Sequence, residues 1–131
     1  MQPATSSPPL RWLAWGLCAL AGLTLTADVV VILASDLTPG TVFTALFVIP
    51  IFAYSLLGAL IVTYRSENRI GWLLLAGGPL LALTLLANDA LRYGYTVMAA
   101  PPAGLDVMAM LYELVSNVPG FLLFILLPLW F

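Results

Sequence analysis

The sequence predicts an all-α membrane protein: four antiparallel transmembrane helices joined by short loops. Three observations lead there. Of the 131 residues, 63% are hydrophobic and 8% are charged, whereas soluble domains carry about 25% charged residues. A water-facing surface cannot be assembled from so few. Four apolar runs are each long enough to cross a bilayer, which takes about 20 residues. No run alternates polar and apolar with period two, as the strands of a membrane barrel must. Every backbone group in lipid needs an internal partner, so helices remain.

Residues 1–10 read as a disordered arm, polar at its start, with Pro3, Pro8, Pro9 and Ser6-Ser7. Residues 11–131 form the transmembrane module. Its first helix is expected over about 12–34, interrupted only by Asp28. A cleaved signal peptide, with Arg11 as its basic start and a cut after Ala27, is the competing reading. The apolar stretch continues through Val29, Val30, Val31, Ile32 and Leu33, which is too long for a signal core. The second helix is expected over 42–62 with Pro50 inside, after a connector holding the turn pair Pro39-Gly40. The third covers 70–92, with Pro79 inside and Asn88-Asp89 near its end. The fourth covers 105–131 and contains Glu113, Asn117, Pro119 and Pro128. Connectors this short make neighbouring helices antiparallel.

Arginine distribution sets the expected orientation, because basic residues near helix ends favour the cytoplasm. Arg11 precedes the first helix, and Arg65 and Arg69 lie between the second and third. These three share one side if four helices alternate. The other side holds Arg92 with Asp36, Asp89 and Asp106. The N-terminus, the Arg65–Arg69 loop and the C-terminus are therefore expected in the cytoplasm. Trp12, Trp15, Tyr64, Trp72 and Trp130 gather at that interface, and Tyr93 and Tyr95 at the opposite one, where amphipathic rings anchor.

Ionisable residues inside membrane helices cost roughly 2.5–3.5 kcal/mol each on insertion scales and usually face a partner or a cavity. At about 1.5 Å of rise per residue, Asp28 lies about 9 Å inside the outer end of the first helix. Glu113 lies about 12 Å inside the fourth by the same rise. Asp89 and Arg92 are near the outer end of the third helix, and Asn117 is one turn below Glu113. Asp28, Asn88, Asp89, Arg92, Glu113 and Asn117 are thus the candidate polar cluster. Three uses compete for it: an ion-paired structural glue, an outward-facing pocket for a cationic or amphipathic ligand, and a proton-linked carboxylate of a small transporter.

Pro50, Pro79, Pro119 and Pro128 each remove a helix hydrogen bond and bend the rod. Gly77-Gly78-Pro79 is expected to be the softest point. Ala14, Cys18, Gly22 and Thr26 recur every four residues, a small-residue stripe suited to close helix contact within the chain or in a homodimer. Cys18 reads as a buried, inert thiol. The chain has no His, and its one buried Cys supplies no metal set. It carries no nucleophile–base constellation and no Gly-rich phosphate loop. No catalysis and no cofactor are expected. Four scattered arginines do not make a nucleic-acid surface. The expected partner is the lipid bilayer.

The segment Arg65-Ser66-Glu67-Asn68-Arg69-Ile70-Gly71-Trp72-Leu73-Leu74 resembles the cytoplasmic turn in the N-terminal membrane region of bacterial sensor histidine kinases. The pattern there is roughly Arg-x-Pro-x-Asn-Pro-Ile-Gly-Trp-Leu-Leu. Asn68, Ile70, Gly71, Trp72, Leu73 and Leu74 match in register, Arg65 stands one place nearer to the asparagine than the pattern's arginine, and Ser66 and Arg69 replace prolines. The resemblance implies a sensing or anchoring module in the bacterial inner membrane, with a cytoplasmic output domain in cis. The last helix ends on Leu129-Trp130-Phe131 without a polar tail, where such proteins continue into a turn. The chain is therefore expected to be truncated there. Four-helix multidrug-type transporters using Asp28 or Glu113, and a membrane scaffold without ligand, are the alternatives.

Overall fold

A computed structural model describes residues 8–35, 39–99 and 103–120. The described residues are helical, with no strand among them. The order is α1 (Pro8–Ala34), α2 (Pro39–Tyr64), α3 (Arg69–Thr96), α4 (Leu105–Val115) and the single turn α5 (Asn117–Gly120). Three of these, α1 to α3, are long and apolar enough to cross a membrane. This is the architecture of a multi-pass membrane protein. Their 27, 26 and 28 residues give rods of about 40 Å at 1.5 Å per residue, against a hydrocarbon core of about 30 Å.

The fourth helix departs from expectation. The sequence predicts a helix over 105–131, but α4 stops at Val115 after 11 residues, about 16 Å of rise. It is too short to cross by itself, so four transmembrane helices are not established. Pro119 accounts for the break, because it has no N–H to offer the Val115 carbonyl four residues back. Ser116 instead closes α4, its N–H donating to the Tyr112 carbonyl at 2.8 Å. Residues 121–131, with Pro128 and Trp130, lie outside the described residues, as do residues 1–7 of the expected arm and Asp36. Residues 8–10, assigned to that arm, belong to α1.

The core seam has a regular spacing. On α1 the buried positions are Ala14, Cys18, Ala21, Leu25, Asp28 and Ile32, separated by alternating steps of four and three. On α3 Gly71, Leu75, Gly78, Ala82 and Asp89 keep the same rhythm, with Leu85 packed between the last two. A 3.5-residue period keeps one stripe facing its partners along supercoiled helices. The stripe predicted from every fourth residue therefore splits. Ala14 and Cys18 are in the core with Ala59, Val62 and Leu75. Gly22 instead abuts Phe52 at the rim, and Thr26 is exposed, its hydroxyl donating to the Gly22 carbonyl at 2.8 Å.

The α2–α3 hairpin is the tightest contact. A Cβ on Gly58 would lie 2.5 Å from the Leu75 nitrogen, and one on Gly71 would lie 2.6 Å from Ile61 Cγ2. A Cβ on Gly78 would collide with Ser55. As the α3 numbers rise, the α2 numbers fall, so the pair is antiparallel. Gly77 and Gly78 are both buried and α3 runs unbroken through Pro79. The point expected to be softest is thus clamped by its neighbour. The turn is locked from within: Asn68 Oδ1 accepts from the Ile70 N–H at 2.9 Å and from the Gly71 N–H at 3.4 Å. Trp72 Nε1 donates to the Ser66 carbonyl at 2.8 Å.

These contacts predict opposite signs for two similar substitutions. Gly58→Ala forces backbone apart and should cost about 1–3 kcal/mol. On α1, a Cβ added at Gly16 would meet nothing within 4 Å, so Gly16→Ala should stabilise by about 0.5–1 kcal/mol. Reversible unfolding in mixed micelles measures both.

Candidate functional site

The bundle end formed by the last turns of α1 and α3 and the first turns of α2 collects most of the buried polar groups. Asp28 stands six residues before the end of α1, and Asp89 seven before the end of α3. Thr41 and Thr44 lie in the first turns of α2. All four share one level because α2 runs opposite to its neighbours. The core rhythm explains why the acids point inward. Positions 28 and 89 fall on the same stripe as Leu25 and Ala82, so burying that stripe buries them.

Asp28 is 0% exposed, and neither carboxylate oxygen has a hydrogen-bond partner among the described residues. Asp89 lies within electrostatic reach of it. The Asp89 side chain is 1% exposed. Its Oδ1 accepts from Asn88 Nδ2 at 3.4 Å and faces Arg92 Nη1 at 3.9 Å, whereas its Oδ2 has no partner among the described residues. The Thr44 hydroxyl is within hydrogen-bonding reach of the Asp89 carboxylate. It also donates to the Gly40 and Thr41 carbonyls at 3.0 and 3.1 Å. A hydroxyl rotor can serve only one acceptor at a time, so Thr44 can turn toward the acid or away from it.

Arg92 covers this group at the rim, with its side chain 38% exposed. A Cβ on Gly40 would stand 3.1 Å from Arg92 Nη1. Gly40, singled out in the sequence only as part of a turn pair, therefore makes room for the guanidinium over the start of α2. The short helix α4 closes beside α3. Tyr95 Oη donates to Asp106 Oδ1 at 2.7 Å, and Leu105 packs against Gly94. The preceding Gly104 has φ +95°, a left-handed turn that suits glycine. Tyr112, half-buried on α4, is within electrostatic reach of Asp89.

Of the six residues read from the sequence, Asp28, Asn88, Asp89 and Arg92 come together. Glu113 and Asn117 are exposed. Thr41, Thr44 and Gly40 were missed. The signal for them was positional, since two hydroxyls in the first turns of α2 lie level with acids near the far ends of its neighbours. At the opposite end, Arg65 and Arg69 are exposed, Ile70 and Trp72 are half-buried, and Gly71 is buried. Those motif residues shape the hairpin and make no pocket with the acids. Among the described residues no three Asp, Glu or Cys side chains gather as a metal-ligand set. Compared with protein-family models, curated proteins and solved structures, the chain matches none.

Arg92 stands beside one of two buried carboxyl groups in a place with little water. Arg92→Met removes the cation beside Asp89 and should lower stability by about 1–3 kcal/mol, the cost of leaving a buried acceptor without its partner. Arg92→Met combined with Asp89→Asn should recover most of that loss. Unfolding of both variants in bicelles checks this compensation.

Proposed function

We propose that the chain is a membrane sensing and anchoring module of a bacterial signalling protein, without catalysis of its own. The observation that carries the sensing part is the buried, incompletely paired Asp28–Asp89 couple on two different apolar helices. A plain anchor gains nothing from carboxylates that each cost roughly 2.5–3.5 kcal/mol to insert. Groups of this kind mark binding and relay positions in membrane bundles. Coupling α1 to α3 through these acids gives a stimulus a way to shift one helix against another.

The arginines support an inner-membrane placement with the hairpin turn in the cytoplasm. Arg11, Arg65 and Arg69 lie at one end of the bundle and Arg92 at the other. The acid pair then faces outward. The Asn68–Trp72 turn supports the likeness to sensor-kinase membrane regions, because Asn68, Gly71 and Trp72 each have a defined part in closing the hairpin. A cytoplasmic output domain in cis belongs to the same reading and requires the chain to cross the membrane once more after α3.

Two readouts on one fusion test it. The full chain is placed ahead of a cytoplasmic histidine kinase core in a Cys18→Ser background. A membrane-impermeant thiol reagent should label Ala103→Cys and not Ser66→Cys in intact cells, and Asp28→Asn should change kinase autophosphorylation at least several-fold. Reversed labelling overturns the orientation. Autophosphorylation indifferent to Asp28→Asn and Asp89→Asn overturns sensing and leaves an anchor.

A further inference from the structure

We propose that Asp28 and Asp89 form a binding site for one monovalent cation, a proton or a sodium ion, taken up from the water at the Arg92 end of the bundle. The inference deepens the sensing reading by naming what the site takes, and it rests on that reading only for the biological use of the cation.

Charge counting comes first. Among the described residues, the ionisable groups facing the pair can be named element by element. α1 contributes Asp28, and α3 contributes Asp89 and Arg92. The facing side chains of α2 are the neutral Thr41 and Thr44. α4 contributes Tyr112, and Glu113 on the same helix is exposed. With both acids ionised, this set carries two negative charges and one positive. The deficit is one unit of positive charge. In a low-dielectric interior an unbalanced carboxylate is far costlier than a neutralised one.

Geometry is the second argument. Three carboxylate oxygens, both of Asp28 and Oδ2 of Asp89, are buried and without partners among the described residues. They come from two helices, on the buried stripe of each, and the two side chains lie within electrostatic reach of one another. The Thr44 hydroxyl offers a fourth oxygen from a third helix. Hard monovalent cations are held by oxygens of this type. A proton shared between opposed carboxylates answers the same deficit, as in pairs that cannot both ionise. At the rim Arg92 stands 3.9 Å from Asp89 Oδ1, whereas neither oxygen of the buried Asp28 has a partner among the described residues.

The full chain in lipid nanodiscs provides the test, with sodium and proton uptake measured separately. Retention of radioactive sodium, displaced by excess unlabelled NaCl, reports the metal ion. The protonated-carboxyl band in pH-difference infrared spectra reports the proton. The expected result is about one cation equivalent per chain in one of the two arms, lost in Asp28→Asn and kept in Glu113→Gln. Asp28→Glu, which preserves the carboxyl, keeps the signal. If Asp28→Asn does not fold, as judged by circular dichroism and elution, Asp89→Asn serves in its place. Absence of signal in both arms overturns the site, as does a signal that survives Asp28→Asn. The measurement does not depend on orientation or output, so its failure leaves the topology labelling of the fusion untouched, and reversed labelling leaves this site untouched.

Discussion

Lipid gives helices no hydrophobic reason to associate, because a neighbouring acyl chain is as apolar as leucine. Everything in this bundle follows from that constraint. Association has to come from close backbone approach and from polar groups that would otherwise be stranded. The chain divides these two means between its ends. At the Asn68 end, Gly58, Gly71 and Gly78 bring α2 and α3 into backbone contact. At the Arg92 end, Asp28, Asp89, Asn88 and Thr44 gather in the seam of three helices. The first arrangement is dense and its turn is closed by its own hydrogen bonds. The second leaves carboxylate oxygens unanswered.

That asymmetry bears on motion. A capped turn tied by Trp72 to Ser66 and packed through glycines has few alternative arrangements. The Arg92 end rests on a 3.9 Å ion pair and a hydroxyl with several acceptors. A hydroxyl with several acceptors can be redirected by a small change in charge. On the proposed reading the hairpin is the fixed frame, and a shift of α1 against α3 belongs at the acid end. Pro50 and Pro79 interrupt the hydrogen-bond ladder without ending their helices, and Pro79 follows a glycine that Ser55 holds in place.

The three long helices were legible because apolar length alone specifies a span. α1 ended at Ala34 as read, while α2 and α3 ran two and four residues further, to Tyr64 and Thr96, since interfacial tyrosines and threonines continue a helix that hydropathy alone would stop. The fourth was read too long. The apolar run through 131 outweighed Pro119, whose missing N–H ends α4 at Val115. The common level of Asp28 and Asp89 was legible from depth counting, because antiparallel rods of known rise place equal depths together. Thr41 and Thr44 were not, since hydroxyls at a helix start have a local use as well. Glu113 and Asn117 depended on where a short helix would turn its face, and depth counting is silent about rotation.

The central claim is that two acids on different helices oppose one another inside the seam, so that the state of each governs the other. A double-mutant cycle in bilayers, built from Asp28→Asn, Asp89→Asn and their combination, tests it most directly. Removing either carboxylate relieves the same repulsion, so the single effects should not add, with a coupling of roughly 0.5–3 kcal/mol as for interacting neighbours. Additivity to within about 0.3–0.5 kcal/mol, the behaviour of distant independent sites, would contradict it.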